Sequence, residues 1–412
     1  MKILHINFSD KSGGAAIAAY RHNEALNRAG YDSRLLVLDR LSSASSVIEP
    51  PEKKSIIRIK SILYSVLSSY KTKKYKPYAT FSTSAYGFNL AQQSEVKGAD
   101  VILIHWVNGG MLSVKGVEQI LRLGKPVIWF LHDMWPMTGG CHYSFSCTKY
   151  QNHCHTCFLL NDKNGSTKYK DITYRLFEKK LKRWGKFKNL SIVAPSQWLA
   201  DAARSSRLFK HCNVNVFRNV IDTELYRPID KSIAREILNL PQKKKLILFG
   251  ADSISSPYKG WSYLRDALNK LNSQDVECVV FGNVNRPLDG INSNIKINYI
   301  GRLNDDYSLV LLYNACDVFV TPSIADNFPN VILEAMSCGL PSVGFNIGGI
   351  PEMIQHEKTG IIAEQLSGES LAEAITQMLN KADIIQFSQS ARKWVEENAS
   401  YKTIKKNIEN II

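Results

Sequence analysis

Residues 317–352 read DVFVTPSIADNFPNVILEAMSCGLPSVGFNIGGIPE, and the run of residue types sets out an order of elements. Val318–Val320 are a short apolar run that Thr321-Pro322-Ser323 stops. Pro329 suits a first helical position, because the N–H it lacks would have no partner there anyway. Val331, Leu333, Ala335 and Met336 then carry a short helix, which Cys338-Gly339 closes with a C-cap glycine. Leu340–Phe345 form a second strand that empties into Asn346-Ile347-Gly348-Gly349-Ile350-Pro351-Glu352. Two strand-end loops thus flank a helix N-terminus, an arrangement suited to holding an anion. Asp326 lies in the first loop, and Glu334, eight residues on, lies on the helix. An ordinary αβ unit with a capping Asp and a solvated Glu has the same local pattern, so these residues alone leave both readings open.

The same strand–loop–helix rhythm extends to both sides. Lys245–Phe249, Val276–Phe281 and Ile295–Ile300 read as strands with Gly250, Gly282 and Gly301 at their ends, and Tyr307–Ala315 as a helix. Leu371–Leu379 is amphipathic, and terminal helices follow from Phe387. In the first half, Lys2–Phe8 is a strand that turns at Gly13-Gly14 into a helix, Ala15–Ala29, and Ser33–Leu38 is a second strand. Asp100–His105 ends in Asn108-Gly109-Gly110, Pro126–Leu131 ends in His132-Asp133-Met134-Trp135, and Leu190–Ala194 is followed by Pro195-Ser196. This is how parallel α/β sheets are built, with ligand-binding loops at the carboxyl ends of the strands. The dinucleotide fingerprint GxGxxG is absent. His132 is well placed for chemistry at a strand end, although a hydrogen-bonded packing histidine fits there too.

At 412 residues the chain exceeds one ordinary core, so two domains are expected. Tyr226-Arg227-Pro228 break the pattern and suggest domains 1–228 and 229–390, with 391–412 as a C-terminal helix returning toward the first. No apolar run is long enough to span a bilayer, and Met1–Leu4 lead straight into a strand. The expected location is cytoplasmic, or peripheral on the cytoplasmic face of a membrane. The net charge of +15 is uneven: residues 1–200 hold 29 Lys and Arg against 13 Asp and Glu, the remainder 23 against 24. A basic half points to anionic lipid, nucleic acid or an anionic substrate, or to no more than a soluble basic surface.

Residues 53–76, KKSIIRIKSILYSVLSSYKTKKYK, carry Ile56, Ile57, Ile59, Ile62, Leu63, Val66 and Leu67 at helical spacing. Lys53, Lys54, Arg58, Lys60, Lys71, Lys73, Lys74 and Lys76 flank them. This basic amphipathic helix suits an anionic membrane surface, or equally a core-packed helix with a solvated basic face. Lys168–Lys188 read as a second basic helix. Between the two, residues 141–157 form a Cys-rich loop in which Cys141, Cys147, Cys154 and Cys157 follow the spacing C-x5-C-x6-C-x2-C. Four cysteines so close in a reducing compartment fit a tetrahedral structural zinc site. Free thiols and disulfides are the alternatives.

Taken together, SGGAA (12–16), HWVNGG (105–110), LHDMWPMTGGC (131–141), APSQWLAD (194–201), NVIDTELYRP (219–228), YKGW (258–261) and PSIADNFPNVILEAMSCGLPSVGFNIGGIPE (322–352) resemble the retaining group-1, GT4-like glycosyltransferases. The resemblance covers essentially the whole chain. It implies an α/β GT-B fold, two Rossmann-like domains facing across a deep cleft, and an enzyme of bacterial surface-polysaccharide assembly such as capsule, exopolysaccharide or O-antigen. Glu334 matches the second acid of the family's E-x7-E motif, which binds the ribose hydroxyls. Asp326 matches the first, expected at the donor sugar, although Asp is one methylene shorter than the usual Glu. Asn327, Phe328, Pro329 and Asn330 stand where backbone amides meet sugar and diphosphate. Lys259 matches a diphosphate-clamping Lys, whereas the companion Arg is replaced by Ala251. Gly13 and Gly14 match the loop approaching donor phosphate and acceptor, and His132 matches a histidine near the reacting carbon.

The implied reaction moves a sugar, with retention, from a UDP- or GDP-linked donor to a hydroxyl of a lipid-linked or oligosaccharide acceptor. It needs no cofactor for catalysis, and the zinc would be structural. A relative with epimerase or phosphorylase chemistry is the alternative. A basic nucleic-acid-binding protein ranks last, because the basic excess lies on helices beside a complete nucleotide-sugar pattern.

Overall fold

In a computed structural model, which describes the chain except residues 53, 73–74, 78, 163–169, 254–255, 272, 284–289, 291–294, 410 and 412 and the side chains of 65, 68–69, 71, 76–77, 161–162 and 251–253, the apolar runs are strands. The first half contains β1 (Lys2–Ile6), β2 (Asp32–Leu36), β3 (Val47–Ile48), β4 (Tyr75–Pro77), β5 (Val101–Ile104), β6 (Val127–Phe130), β7 (Leu160–Asp162), β8 (Leu190–Ala194) and β9 (Val214–Val216). Strands β4 and β7 pair with each other, antiparallel. The other seven form one sheet in the order β3-β2-β1-β5-β6-β8-β9, parallel throughout. The second half contains β10 (Lys245–Ser253), β11 (Val276–Asn283), β12 (Lys296–Gly301), β13 (Val318–Thr321), β14 (Ser342–Phe345) and β15 (Gly360–Ala363). Their order is β12-β11-β10-β13-β14-β15, again all parallel.

Both sheets start in the middle, grow to one side and then cross over to the other. The reversal falls between β1 and β5 in the first sheet and between β10 and β13 in the second. Such switch points leave a crevice at the carboxyl ends of the two diverging strands, where α/β proteins bind ligands. The strands are apolar on both sides because helices cover both faces. Successive residues of β10 alternate accordingly: Leu246 and Leu248 enter one core, Ile247 and Phe249 the other. Each such fully buried side chain contributes about 1.5–3 kcal/mol.

The chain divides into Met1–Arg218 with Ile404–Ile412, and Asn219–Thr403. The division falls before residue 228 because the segment from Asn219 is tied into the second unit. Asn219 Nδ2 donates to Phe328 O and Asn330 Oδ1, and Ile221 N donates to Ala399 O. Of 391–412, only Ile404–Ile412 falls with the first unit; the helix Ile384–Asn398 stays with the second. Its Ala391, Trp394 and Val395 share a core with the helix Asn330–Ser337, and Arg392 caps the carbonyls of Thr223, Tyr226 and Ser337.

The basic helix runs Lys54–Thr72. Its apolar residues, which helical spacing places in one group, divide between two sides. Ile57 is 4% exposed and packs into the first core, and Tyr64 lies edge-on to Phe88 and stacked on Tyr86. Ile56, Ile59, Ile62, Leu63, Val66 and Tyr70 face outward, with Ile59 65% and Val66 59% exposed. Lys53, Lys73 and Lys74, the side chains of Lys71 and Lys76, and Lys168 of the second basic segment lie outside the described residues. Among the described residues, no helix is long and apolar enough to cross a membrane.

Candidate active site

At the switch point of the second sheet, the loop after β13 carries Asp326 and the turn after β10 carries Lys259. Lys259 Nζ lies 2.6 Å from Asp326 Oδ2, while Asp326 Oδ1 accepts the Asn327 N–H at 3.0 Å. Both carboxylate oxygens are therefore engaged, and the pair is largely buried. Two glycines make this approach possible. Gly260, beside Lys259, has φ +73°, and a methyl built on it would fall 1.8 Å from Pro322 O. Gly348, after β14, has φ +60°, and a methyl there would fall 1.9 Å from Asp326 O. The loop 322–329 is thus held between two backbone surfaces that only glycine can supply.

Behind the loop, the helix Asn330–Ser337 begins. Pro329 occupies its N-cap position, φ −67° and ψ 123°, one residue before the expected first helical position, and no side chain caps the helix. Phe328 is buried, its ring 6.4 Å from that of Trp394. Asn219 joins Phe328 O to Asn330 Oδ1, so it fixes the loop where it meets the helix. Glu334, on the second turn, is buried and accepts the Tyr313 O–H on Oε2 at 2.7 Å. Burial and the Glu334 charge together push the Tyr313 phenol well above its usual range. The second unit therefore brings Lys259, Asp326, Asn327, Phe328, Pro329, Asn330 and Glu334 into one loop-and-helix site. Ala251 lies on β10, its side chain outside the described residues. Asn219 and Tyr313 carry no signal of their own in the sequence.

In the first unit, the helix Gly14–Arg28 opens at Gly13, which has φ +87° and ψ 164° and no side-chain cap. A methyl on Gly13 would meet nothing within 4 Å, so here glycine answers to backbone conformation and not to a neighbour. His132 follows β6, two strands along from β1. It is not alone. His5 Nδ1 lies 2.9 Å from His105 Nε2, and His105 Nδ1 lies 2.9 Å from His132 Nε2. Burial lowers all three: His5 to about 3, His132 to about 4 with the neighbouring Asp133 opposing, and His105 well below its usual value. All three rings are therefore neutral near pH 7. Asp133 itself accepts the Trp135 N–H on Oδ1 at 2.8 Å and binds His142 Nδ1 through Oδ2 at 2.5 Å.

The Cys-rich loop packs beneath this motif. Lys180 is fully buried, donates to Trp135 O and to Thr138 O, and sits 3.7 Å above the Trp135 ring; desolvation lowers its ammonium to about 7, against the nearby thiols and Asp133. Cys154 Sγ accepts the Gly139 N–H at 3.1 Å, and burial raises the Cys154 thiol to about 12, with that bond opposing. Cys141 is raised by burial and by the proximity of Cys157, Cys154 and Cys147. The four thiols thus gather in one region. Among the described residues, no group of three or more His, Cys, Asp or Glu stands where it could hold a metal ion.

Residues 12–225 match the family described as Glycosyltransferase Family 4, and residues 243–381 match Glycosyl transferases group 1. The chain belongs to glycosyltransferase family 4. Among curated family relatives, the putative colanic acid biosynthesis glycosyl transferase WcaC of Escherichia coli K12 is 25% identical over 76% of this chain and 78% of its own length. An uncharacterized glycosyltransferase of Methanocaldococcus jannaschii is 34% identical, but over 28% of this chain and only 30% of that protein's length. The structure of HepE from Anabaena, solved with UDP and glucose, superposes with a TM-score of 0.66 at 18% identity, covering 100% of this chain and 98% of HepE. WaaG, a glycosyltransferase involved in lipopolysaccharide biosynthesis, superposes with a TM-score of 0.62 at 14% identity, over 99% of both chains. These likenesses establish the GT-B type of fold with its two Rossmann-like domains for this family-4 chain.

Proposed function

We propose that this family-4 chain transfers a sugar, with retention of configuration, from a UDP- or GDP-linked donor to a hydroxyl of a lipid-linked or oligosaccharide acceptor. The observation that carries the reading is the Lys259–Asp326 pair beside an uncapped helix N-terminus whose second turn carries Glu334. An uncapped helix start favours an anion through its exposed N–H groups and dipole. The diphosphate belongs there, with Lys259 exchanging part of its contact with Asp326 for phosphate oxygen. Glu334, steadied by Tyr313, accepts ribose hydroxyls. When the bond from the sugar to phosphate breaks, negative charge grows on the leaving phosphate, and Lys259 and the helix N–H groups stabilise it. The acceptor hydroxyl attacks from the same face, and its proton passes to the departing phosphate. Asp326, freed from Lys259, orients the sugar.

The setting is bacterial surface-polysaccharide assembly at a cytoplasmic membrane face. WcaC's colanic acid role and WaaG's lipopolysaccharide role support it. So does the outward stripe Ile56, Ile59, Ile62, Leu63, Val66 and Tyr70 on a helix that also carries Lys54 and Arg58. Apolar residues on one side and cations beside them suit the headgroup layer of an anionic bilayer. Incubating the full chain with UDP- and GDP-sugars tests the reaction, and the UDP complexes of HepE make UDP-sugars the first to try. Neither donor turnover nor nucleotide binding across the panel would sink the transferase reading.

A further inference from the structure

His5, His105 and His132 form a row across three neighbouring strand ends of the first sheet, and the family resemblance gives a role only to the last of them. His5 stands on β1, opposite Leu103 of β5; His105 follows β5; His132 follows β6. Adjacent ring centroids are 5.1 and 5.2 Å apart, with planes 16° and 24° apart. With nitrogens 2.9 Å apart, the rings meet edge to edge and nearly coplanar, as an N–H···N bond requires.

A neutral imidazole carries one N–H and one bare nitrogen, so three rings joined by two bonds have only two polarities. In one, His5 donates through Nδ1 to His105 Nε2, His105 donates through Nδ1 to His132 Nε2, and His132 keeps its proton on Nδ1. In the other, every ring is protonated on Nε2 and His132 presents a bare Nδ1. The far end of the row separates them. His5 Nε2 is buried with no hydrogen-bond partner among the described residues. The second polarity strands an N–H there, the first only a lone pair, and a stranded buried N–H is the rarer of the two in folded proteins. The surroundings keep the row uncharged. Phe130 lies 5.5 Å from His105 and 5.2 Å from His132. The helix Gly14–Arg28 contributes His22, 6.2 Å from His105, and the nearest acid, Asp133, is already bound to His142 and the Trp135 N–H.

We propose that His5 and His105 are positioning residues that hold His132 in the Nδ1–H tautomer, so that His132 offers the donor sugar a hydrogen-bond donor. The sugar group it suits is an oxygen acceptor, a hydroxyl or an acetamido carbonyl, and an ammonium substituent there is rejected. What His132 touches rests on the transferase reading; the tautomer does not.

The test is a long-range proton–nitrogen correlation spectrum of the full chain labelled with 15N-histidine, at pH 7, assigned with His5→Asn, His105→Asn and His132→Gln. The expected spectrum shows His132 neutral with its proton on Nδ1. A proton on Nε2, or on both nitrogens, overturns the proposal from the wild-type protein alone. His105→Leu removes the link and is expected to release His132 toward the Nε2–H form, while His105→Asn, whose amide nitrogen replaces the Nδ1 donor, restores it. A His132 signal indifferent to His105→Leu also overturns it. With a donor that the wild type turns over, His105→Leu is expected to lower kcat about tenfold or more at nearly constant KM, with recovery in His105→Asn; a loss in KM alone contradicts the positioning role. If the wild type turns over no donor, the transferase reading fails, and the spectrum still decides the tautomer.

Discussion

Lys259 Nζ stands 2.6 Å from Asp326 Oδ2, joining the turn after β10 to the loop after β13 at the switch point of the second sheet. The cation matched to the diphosphate and the acid matched to the donor sugar therefore face each other directly. Their substitutions should separate. Lys259→Met is expected to weaken UDP or GDP binding about 10- to 100-fold, the loss of one charge-assisted hydrogen bond of about 1.5–3 kcal/mol. Asp326→Asn is expected to leave nucleotide affinity nearly unchanged and to lower the turnover of sugar transfer. Calorimetric titration beside steady-state kinetics checks both; equal effects of the two variants on nucleotide affinity would contradict this division of labour.

Gly348→Ala should be far more damaging than Gly13→Ala. At Gly348 the new methyl would fall 1.9 Å from Asp326 O, whereas at Gly13 it would meet nothing. Both substitutions incur the backbone penalty of a positive φ, about 1–3 kcal/mol. Only Gly348→Ala also displaces the acid loop, so it should lose donor turnover as well as thermal stability. Comparable melting temperatures and activities for the two variants would count against the clamped loop.

The strand runs were legible because a parallel sheet buried on both faces leaves unbroken apolar stretches. Glycines at their ends marked the turns. Strand order was not legible: nothing within β1, β5 and β6 says that they lie side by side, so His5 and His105 could not be joined to His132. Glu334 stood out through its spacing from Asp326. Tyr313 and Asn219 did not, since a tyrosine in a helix and an asparagine after a strand look like packing residues until the fold brings them to Glu334 and Phe328. β9 and β15, at three and four residues, were too short to detect. Helical spacing in 54–72 identified apolar positions without saying that Ile57 turns inward while Ile59 stays outside.

That outward stripe gives a membrane prediction. Wild-type chain is expected to float with liposomes containing anionic lipid, and to float less as salt rises, because the basic contribution is screened. Ile59→Glu with Val66→Glu should abolish flotation without changing the melting temperature, both side chains being more than half exposed. Unchanged flotation of the double variant would rule this helix out as the contact face.

The histidine row makes stability depend on pH. For His5, the folded value of about 3 lies below the ordinary 6.5, so between these values the unfolded chain binds more protons than the folded one. Stability from this group is complete above about pH 6.5 and is lost as the pH falls toward the folded value. Between pH 7 and 5 one such histidine accounts for about 2 kcal/mol. In His5→Asn the drop in denaturant-measured stability over that interval is expected to shrink by about that amount, with His22, Asp133 and the rest of the row unchanged. An equal drop in wild type and variant would mean that His5 does not stay neutral in the fold.

Calorimetric titration of UDP and GDP, free and sugar-linked, into the wild-type chain and into Glu334→Ala tests the donor site most directly. Saturable binding of at least one nucleotide to the wild type is expected, weakened about tenfold or more in Glu334→Ala through loss of the charged acceptor for the ribose hydroxyls. No binding to the wild type, or the same affinity in Glu334→Ala, would contradict a nucleotide-sugar seated at the switch point of the second sheet.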